Sequence, residues 1–280
     1  MAMIDEAALQ AWVGRQTTAE DALHPFAVQA LAAALDRTDL PTTGDALPPS
    51  WHWLYFLDTP RACGTGGDGH AHSGAVLPPP PLPRRMWAAG AMHIEQPLRV
   101  GVPAQRRSMI RSIDVKKGRS GTLVFLNLDH ELSQHGSLCI REEQNLVYRE
   151  MASGPASELP GEPAPTGQWT REIVPDPVLL FRYSALTYNG HRIHYDRPYA
   201  REREFYPDLV VQGPLLASLL LELCQAQLPR APIRSFRFRA LRPTFDSAPI
   251  SLNGSRNGNE ISLWSAQRGQ LCMSAAVTLA

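Results

Sequence analysis

Apolar and polar residues alternate along two long stretches of the chain, and turn residues cut each stretch into segments. In the first stretch, residues 86–97, 105–116, 121–132 and 136–149 follow a period of two, which predicts strands. Lys117-Gly118, Gly121 and His135-Gly136 punctuate them. The second stretch repeats the plan over 235–243, 249–253, 260–266 and 270–280. Its turns, Asn253-Gly254, Asn257-Gly258 and Arg268-Gly269, are hairpin signals. In the last segment Leu271, Met273, Ala275, Val277 and Leu279 share one face.

One helix precedes the strands in each half. In the first half Thr17 or Thr18 is the expected cap, with Glu20 and Asp21 in the first turn, and Pro25 restarts the helix through residue 35. In the second half residues 214–228 are apolar on nearly every side, which marks a buried helix about 20 Å long. A buried helix followed by four antiparallel strands suggests a sheet wrapped round a helix, and two such halves make an α+β pseudo-dimer. Glycines and prolines between residues 61 and 85 require a long loop. Pro155, Pro160, Pro163 and Pro165 predict a linker over 153–167, between domains at 1–152 and 168–280.

Composition narrows the function. The 280 residues are 44% hydrophobic and 19% charged, enough for a buried core. Lys+Arg and Asp+Glu both number 27, so no overall basic field invites nucleic acid. No apolar run reaches the roughly 18–20 residues that span a bilayer, and the start lacks a signal-peptide pattern. Cys63, Cys139, Cys224 and Cys272 lie far apart and are expected as free thiols in a cytoplasmic protein.

Residues 181–200 carry the densest chemistry. They are expected to begin as a strand and then collect Asn189, His191, His194 and Asp196 beside Tyr188 and Tyr195. A histidine near a polar orienter and a water can transfer protons at neutral pH; a capping cluster on a loop is the structural alternative. Gly213 and Pro214 open the second helix, where exposed amides can hold an oxyanion or simply start a buried helix. Gly64-Thr-Gly-Gly-Asp-Gly69 matches a dinucleotide string, but prolines rather than a helix follow it, so a flexible exposed loop is expected. His70 and His72 with Cys63 lack a convincing third metal ligand. Arg84, Arg85, Arg106, Arg107, Arg234, Arg237 and Arg239 are phosphate candidates, most of them expected on solvated strand faces. Trp51, Trp53, Tyr55 and Phe56 are expected in the aromatic core.

Leu186-Thr-Tyr-Asn-Gly-His-Arg-Ile-His194 resembles the Ser-Gly-Asp-x-Asn-Pro-Leu-His signature of MaoC-like, R-specific enoyl-CoA hydratases (hydratase 2). Gln212-Gly-Pro-Leu215 is similar to the start of that family's hot-dog helix. The resemblance implies a double hot-dog, each half a curved antiparallel sheet round a central helix, with the second half catalytic and the first shaping the acyl pocket. His194 falls on the catalytic histidine, Asn189 on the catalytic aspartate and His191 on the family asparagine; an amide at Asn189 cannot take a proton. Gly213 would bind the thioester oxygen, with His191, Asp196 and Gln212 in support; the spacing permits Asp196 to hold a histidine ring but does not show it. Arg192 is a candidate for a distal carboxylate or an internal salt bridge, and Tyr188, Arg84 and Arg85 for substrate contacts.

Thr-Tyr-Asn-Gly-His-Arg-Ile-His-Tyr-Asp196 is similar to one subgroup, which includes mitochondrial-type 3-hydroxyacyl thioester dehydratases and 3-methylfumaryl-CoA hydratases. Segments 47–56, 82–87 and 124–150 extend the resemblance to the first half, where the glycine-rich loop would wall the acyl pocket. The implied reaction is hydration of 3-methylfumaryl-CoA to citramalyl-CoA. It needs no metal or redox cofactor, since CoA arrives with the substrate. Dehydration of other 3-hydroxyacyl groups on CoA or acyl carrier protein, thioester hydrolysis, and acyl-CoA binding without turnover are the alternatives. Pairing into a homodimer is expected.

Overall fold

The computed structural model describes residues 4–72, 74, 76–118, 121–155 and 161–280. Its strands are β1 (Gln16–Asp21), β2 (Arg84–Ile94), β3 (Ala104–Gly118), β4 (Gly121–Gln134), β5 (Ser137–Arg149), β6 (Trp169–Ile173), β7 (Ile233–Ala240), β8 (Ile250–Asn257), β9 (Glu260–Gln267) and β10 (Gln270–Leu279). The helices are α1 (Glu6–Gln10), α2 (Pro25–Ala34), α3 (Pro177–Leu186), α4 (Arg197–Glu202) and α5 (Gly213–Gln227). All eight alternating segments are strands, as their period requires, and the architecture is α+β.

The strands form one antiparallel sheet in the order β1-β3-β4-β5-β2-β7-β10-β9-β8-β6. Each half therefore runs first, third, fourth, fifth, second in its own chain order, the signature of a repeated unit. The halves join where β2 pairs with β7, from Ala89↔Arg239 to His93↔Ser235.

Burial differs between the halves. α5 buries nine of its residues and packs on β8, β9 and β10. The expectation of a central helix holds there. α2 begins at Pro25, with the Phe26 N–H donated to His24 Nδ1, and packs against α3 and the short turn Trp51–Leu54. Its Val28, Leu31 and Ala32 join the core around α5. The outer part of the first sheet encloses a second core, Ile110, Ile113, Val124, Leu126, Leu128, Leu146 and Tyr148, closed by Leu9 and Val76.

Two expectations change. Residues 16–21 are an edge strand in register with 104–109, not the first turn of a helix. Thr17 and Thr18 are β-branched and suit that pleat; Asp21 accepts the Leu23 and Phe56 amides, which fixes the chain where it turns towards α2. Residues 177–186 are helix rather than strand. Asp176 accepts the Leu179 N–H at 2.7 Å and Pro177 takes the first helical position. Leu180, Tyr183 and Ser184 are buried at helical spacing. Part of the expected linker, residues 156–160, lies outside the described residues. Residues 162–164 run against the β9–β10 turn, with Leu271 N–H on Glu162 O and Ala164 N–H on Gly269 O.

Candidate active site

The segment after α3 folds tightly because its own polar groups close it. Asn189 Oδ1 accepts the His191 N–H at 3.1 Å, an Asx turn that leads into the short turn Arg192–His194. That turn is strapped to the chain entering α5: Val210 N–H meets Ile193 O at 3.0 Å, and His194 Nδ1 lies 2.7 Å from Val210 O. A carbonyl only accepts, so Nδ1 carries the proton and Nε2 keeps a free lone pair. Burial, with the charge of His191 in second place, pushes His194 down to about 3. The imidazole is thus neutral, with its Nε2 lone pair free to accept.

Three residues beyond Val210, Gly213 opens α5. Its N–H occupies a first-turn position without an intrahelical acceptor, and Pro214 has no N–H to offer. The Trp87 carbonyl lies 3.6 Å from where a Gly213 Cβ would stand, so β2 approaches this helix end closely. Gln212 is buried and donates through Nε2 to Leu180 O and Ser184 Oγ, both at 2.9 Å, which ties α5 to α3.

His191 is held by a group absent from the sequence reading. Its Nε2 lies 2.8 Å from Glu204 Oε1, while Arg84 Nε meets Glu204 Oε2 at 2.9 Å. Arg84, Glu204 and His191 are all buried. Burial would raise the Glu204 carboxyl, but His191 and Arg84 outweigh it and hold it below its ordinary value. Arg84 therefore serves this carboxylate, stacked 4.9 Å from the Tyr206 ring, rather than a CoA phosphate. Position in the chain gives no hint of this pairing, which spans 120 residues.

The glycine-rich loop also belongs here, not to open solvent. Asp68 O accepts the Arg192 N–H and Gly67 O accepts Arg192 Nη1, both at 2.9 Å. A Cβ on Gly69, whose φ is +91°, would sit 1.7 Å from Gly190 O, so the two backbones touch where only glycine fits. The loop brings the His70 ring 4.1 Å from His191, which in turn meets His194 edge-on at 5.6 Å. Asp68 Oδ2 accepts from His70 Nδ1 at 3.0 Å. Burial lowers His70 to about 4; burial would raise Asp68, but its bonds to His70 prevail and hold it at about 2. The His-x-His pair was the one sequence signal that could have led to this loop. Asp68, His70 and His191 offer ligand atoms within 4.8 Å of one another, but Asp68–His70 and His191–Glu204 hydrogen bonds engage all three.

The remaining candidates disperse. Asp196 holds no histidine: it caps α4 through the Tyr199 N–H and takes Arg192 at 2.7 Å. Arg192 forms the internal salt bridge and stacks on Tyr199, so it has no free charge for a distal carboxylate. Tyr188 is exposed at the end of α3 with φ +50°. Arg85 lies on β2 directly across from Tyr148 on β5. Trp51, Tyr55 and Phe56 are core, as expected, while Trp53 donates to the buried Glu142 and meets Trp87 edge-on at 4.9 Å.

The Hydroxyacyl-thioester dehydratase type 2 family matches residues 50–246, and the chain belongs to it. Mesaconyl-C(4)-CoA hydratase of Chloroflexus aurantiacus is 46% identical over 272 residues, covering 96% of this chain and 97% of that protein. The mitochondrial hydroxyacyl-thioester dehydratase type 2 of Schizosaccharomyces pombe is 30% identical over 247 residues, covering 78% and 80%. A Mycobacterium tuberculosis structure described as a double hotdog fold superposes with a TM-score of 0.58 at 11% identity over 96% of both chains. The fold is a double hot-dog.

Proposed function

We propose that this protein is a hydro-lyase that adds water across the α,β double bond of an enoyl-CoA, converting 3-methylfumaryl-CoA (mesaconyl-C4-CoA) to citramalyl-CoA. The 46% identity to a mesaconyl-C4-CoA hydratase over nearly the whole chain supports the acyl group. The observation that carries the chemistry is the fixed tautomer of His194 beside the start of α5.

Water held by the Asn189 amide gives its proton to His194 Nε2 as its oxygen bonds to the β-carbon. The π electrons move onto the α-carbon and thioester oxygen, and the Gly213 N–H stabilises that developing negative charge. Burial makes the resulting imidazolium a strong acid. It returns the proton to the α-carbon, so H and OH have been added and neutral His194 is restored. His191, fixed by Glu204, orders the loop that presents Asn189. The addition is redox-neutral and asks for no cofactor beyond the CoA of the substrate. Run in reverse, the same groups dehydrate a 3-hydroxyacyl thioester, the activity named for the yeast relative, with CoA or acyl carrier protein as carrier. The reading takes the protein as a cytoplasmic homodimer. No helix among the described residues is long and apolar enough to cross a membrane.

The test follows loss of enoyl absorbance from mesaconyl-C4-CoA and crotonyl-CoA with purified protein. Loss that His194→Gln abolishes, without release of thiol, is expected. Near-normal turnover by His194→Gln would overturn the mechanism, and thiol release would indicate thioester hydrolysis.

A further inference from the structure

The mesaconyl group carries a free carboxylate that crotonyl lacks, and a buried carboxylate needs a cationic partner. Arg84 and Arg192 are committed to Glu204 and Asp196. Arg85 is not: among the described residues no carboxylate lies within ion-pair distance of it. It is half-buried and pairs directly across the ladder with Tyr148, so the two side chains share a face of the sheet. Tyr148 is 1% exposed, and among the described residues Arg85 is the polar side chain that its phenol oxygen faces. The guanidinium faces that oxygen and offsets the upward push of burial on the phenol. Its charge also reaches His70, whose ring lies tilted 4.1 Å from that of His191.

The position along β2 is the second argument. Trp87, two residues on, brings its carbonyl against the Gly213 end of α5. Two residues of strand rise about 6.6 Å. A thioester carbonyl held at Gly213 and a carboxylate across the double bond from it thus fall within reach of the long Arg85 side chain. We propose that Arg85 and Tyr148 form the carboxylate subsite of the acyl pocket and select a dicarboxylic acyl thioester over a monocarboxylic one. This rests on the hydratase reading above. The fork of the guanidinium and the phenol O–H supply the donors, and the carboxylate neutralises a cation that has no carboxylate partner among the described residues.

The experiment measures kcat/KM for mesaconyl-C4-CoA and crotonyl-CoA in the same preparations of wild type, Arg85→Met, Arg85→Lys and Tyr148→Phe, so that the folded fraction cancels in the ratio. Wild type is expected to favour mesaconyl-C4-CoA. Arg85→Met should lower the ratio roughly 10–100-fold, the cost of a charge-assisted pair, mostly through KM. Arg85→Lys should recover part of it, and Tyr148→Phe should lower it several-fold. Equal losses on both substrates, or an unchanged ratio in Arg85→Met, would overturn the subsite. Turnover of crotonyl-CoA alone by wild type would overturn it while leaving the hydratase reading intact. Turnover of neither would count against the hydratase reading. Calorimetric binding of the unreactive methylsuccinyl-CoA then decides the subsite separately, with about tenfold weaker binding to Arg85→Met expected and equal binding overturning it.

Discussion

Removing the Glu204 carboxylate should separate stability from catalysis. The side chains of Arg84 and Glu204 are 5% and 3% exposed, and Glu204 bonds both Arg84 and His191. Glu204→Ala leaves a buried guanidinium with no counter-charge and His191 Nε2 with no acceptor. Breaking a buried pair at one partner costs about 3–5 kcal/mol. At roughly 2–4 °C per kcal/mol for a chain of this class, the midpoint should fall by on the order of 10 °C. Replacing both partners by apolar groups, Arg84→Met with Glu204→Leu, removes the charge penalty and should recover most of the loss. It does not restore an acceptor for His191, so kcat should stay low in the double variant. The assays are thermal denaturation and enoyl absorbance on the same samples. A single variant within about 1 kcal/mol of wild type would refute the burial argument. A double variant with full kcat would refute the positioning role of Glu204.

Further outcomes follow from the same contacts. His194 and His70 titrate at about 3 and about 4, below a free imidazole, so the unfolded chain binds more protons than the folded one in that window. Their contribution to stability is complete above an ordinary histidine pKa of about 6.5 and is lost as pH falls towards those values. Denaturation midpoints across pH 3–7 should fall with acid, and an increase on acidification would contradict the burial. For kcat/KM, the acid limb should lie well below about 6.5; a limb at that value would mean that His194 is solvated. Gly69→Ala should detach the loop 64–72 from Gly190, since its Cβ would lie 1.7 Å from a backbone oxygen; faster proteolysis of the loop and reduced kcat are the expected readouts. Asp196→Ala removes the α4 cap and the Arg192 bond, and should cost about 1–2 kcal/mol in denaturation while kcat holds.

What could be read from the sequence was local. The period-two segments and the apolar residues 214–228 report burial through neighbours one to four positions away, and they fold as strands and as α5. The Asx turn from Asn189 to His191 depends on the same short range, since it is closed within the segment. Thr17 and Thr18 misled because a threonine suits both a helix cap and an edge strand, and the partner that decides, β3, lies some 90 residues away. Glu204 and Asp68 were illegible because their roles come from partners brought in by other elements. Glu204 is one charge in an Arg-Glu-Arg-Glu run whose neighbours Arg201 and Arg203 stay exposed.

The two halves contribute unequally but jointly to the site. His191, His194 and Gly213 come from the second half; Asp68, His70, Arg84, Arg85 and Trp87 come from the first. Under the proposed mechanism the first set would supply a base and an oxyanion donor, while the second ties down His191 through Arg84 and Glu204 and packs His70 against it. These contributions meet beside the β2–β7 seam, where the sheet passes from one half to the other. Continuity of the sheet therefore has a structural consequence: β2 carries Arg84 to Glu204, Arg85 to Tyr148 and Trp87 to the start of α5 on one strand. Two identical halves would offer the same residues on both sides of that seam. Divergence lets the first half change the residues on its strand without altering those that the second half holds at the start of α5 and in the turn before α4.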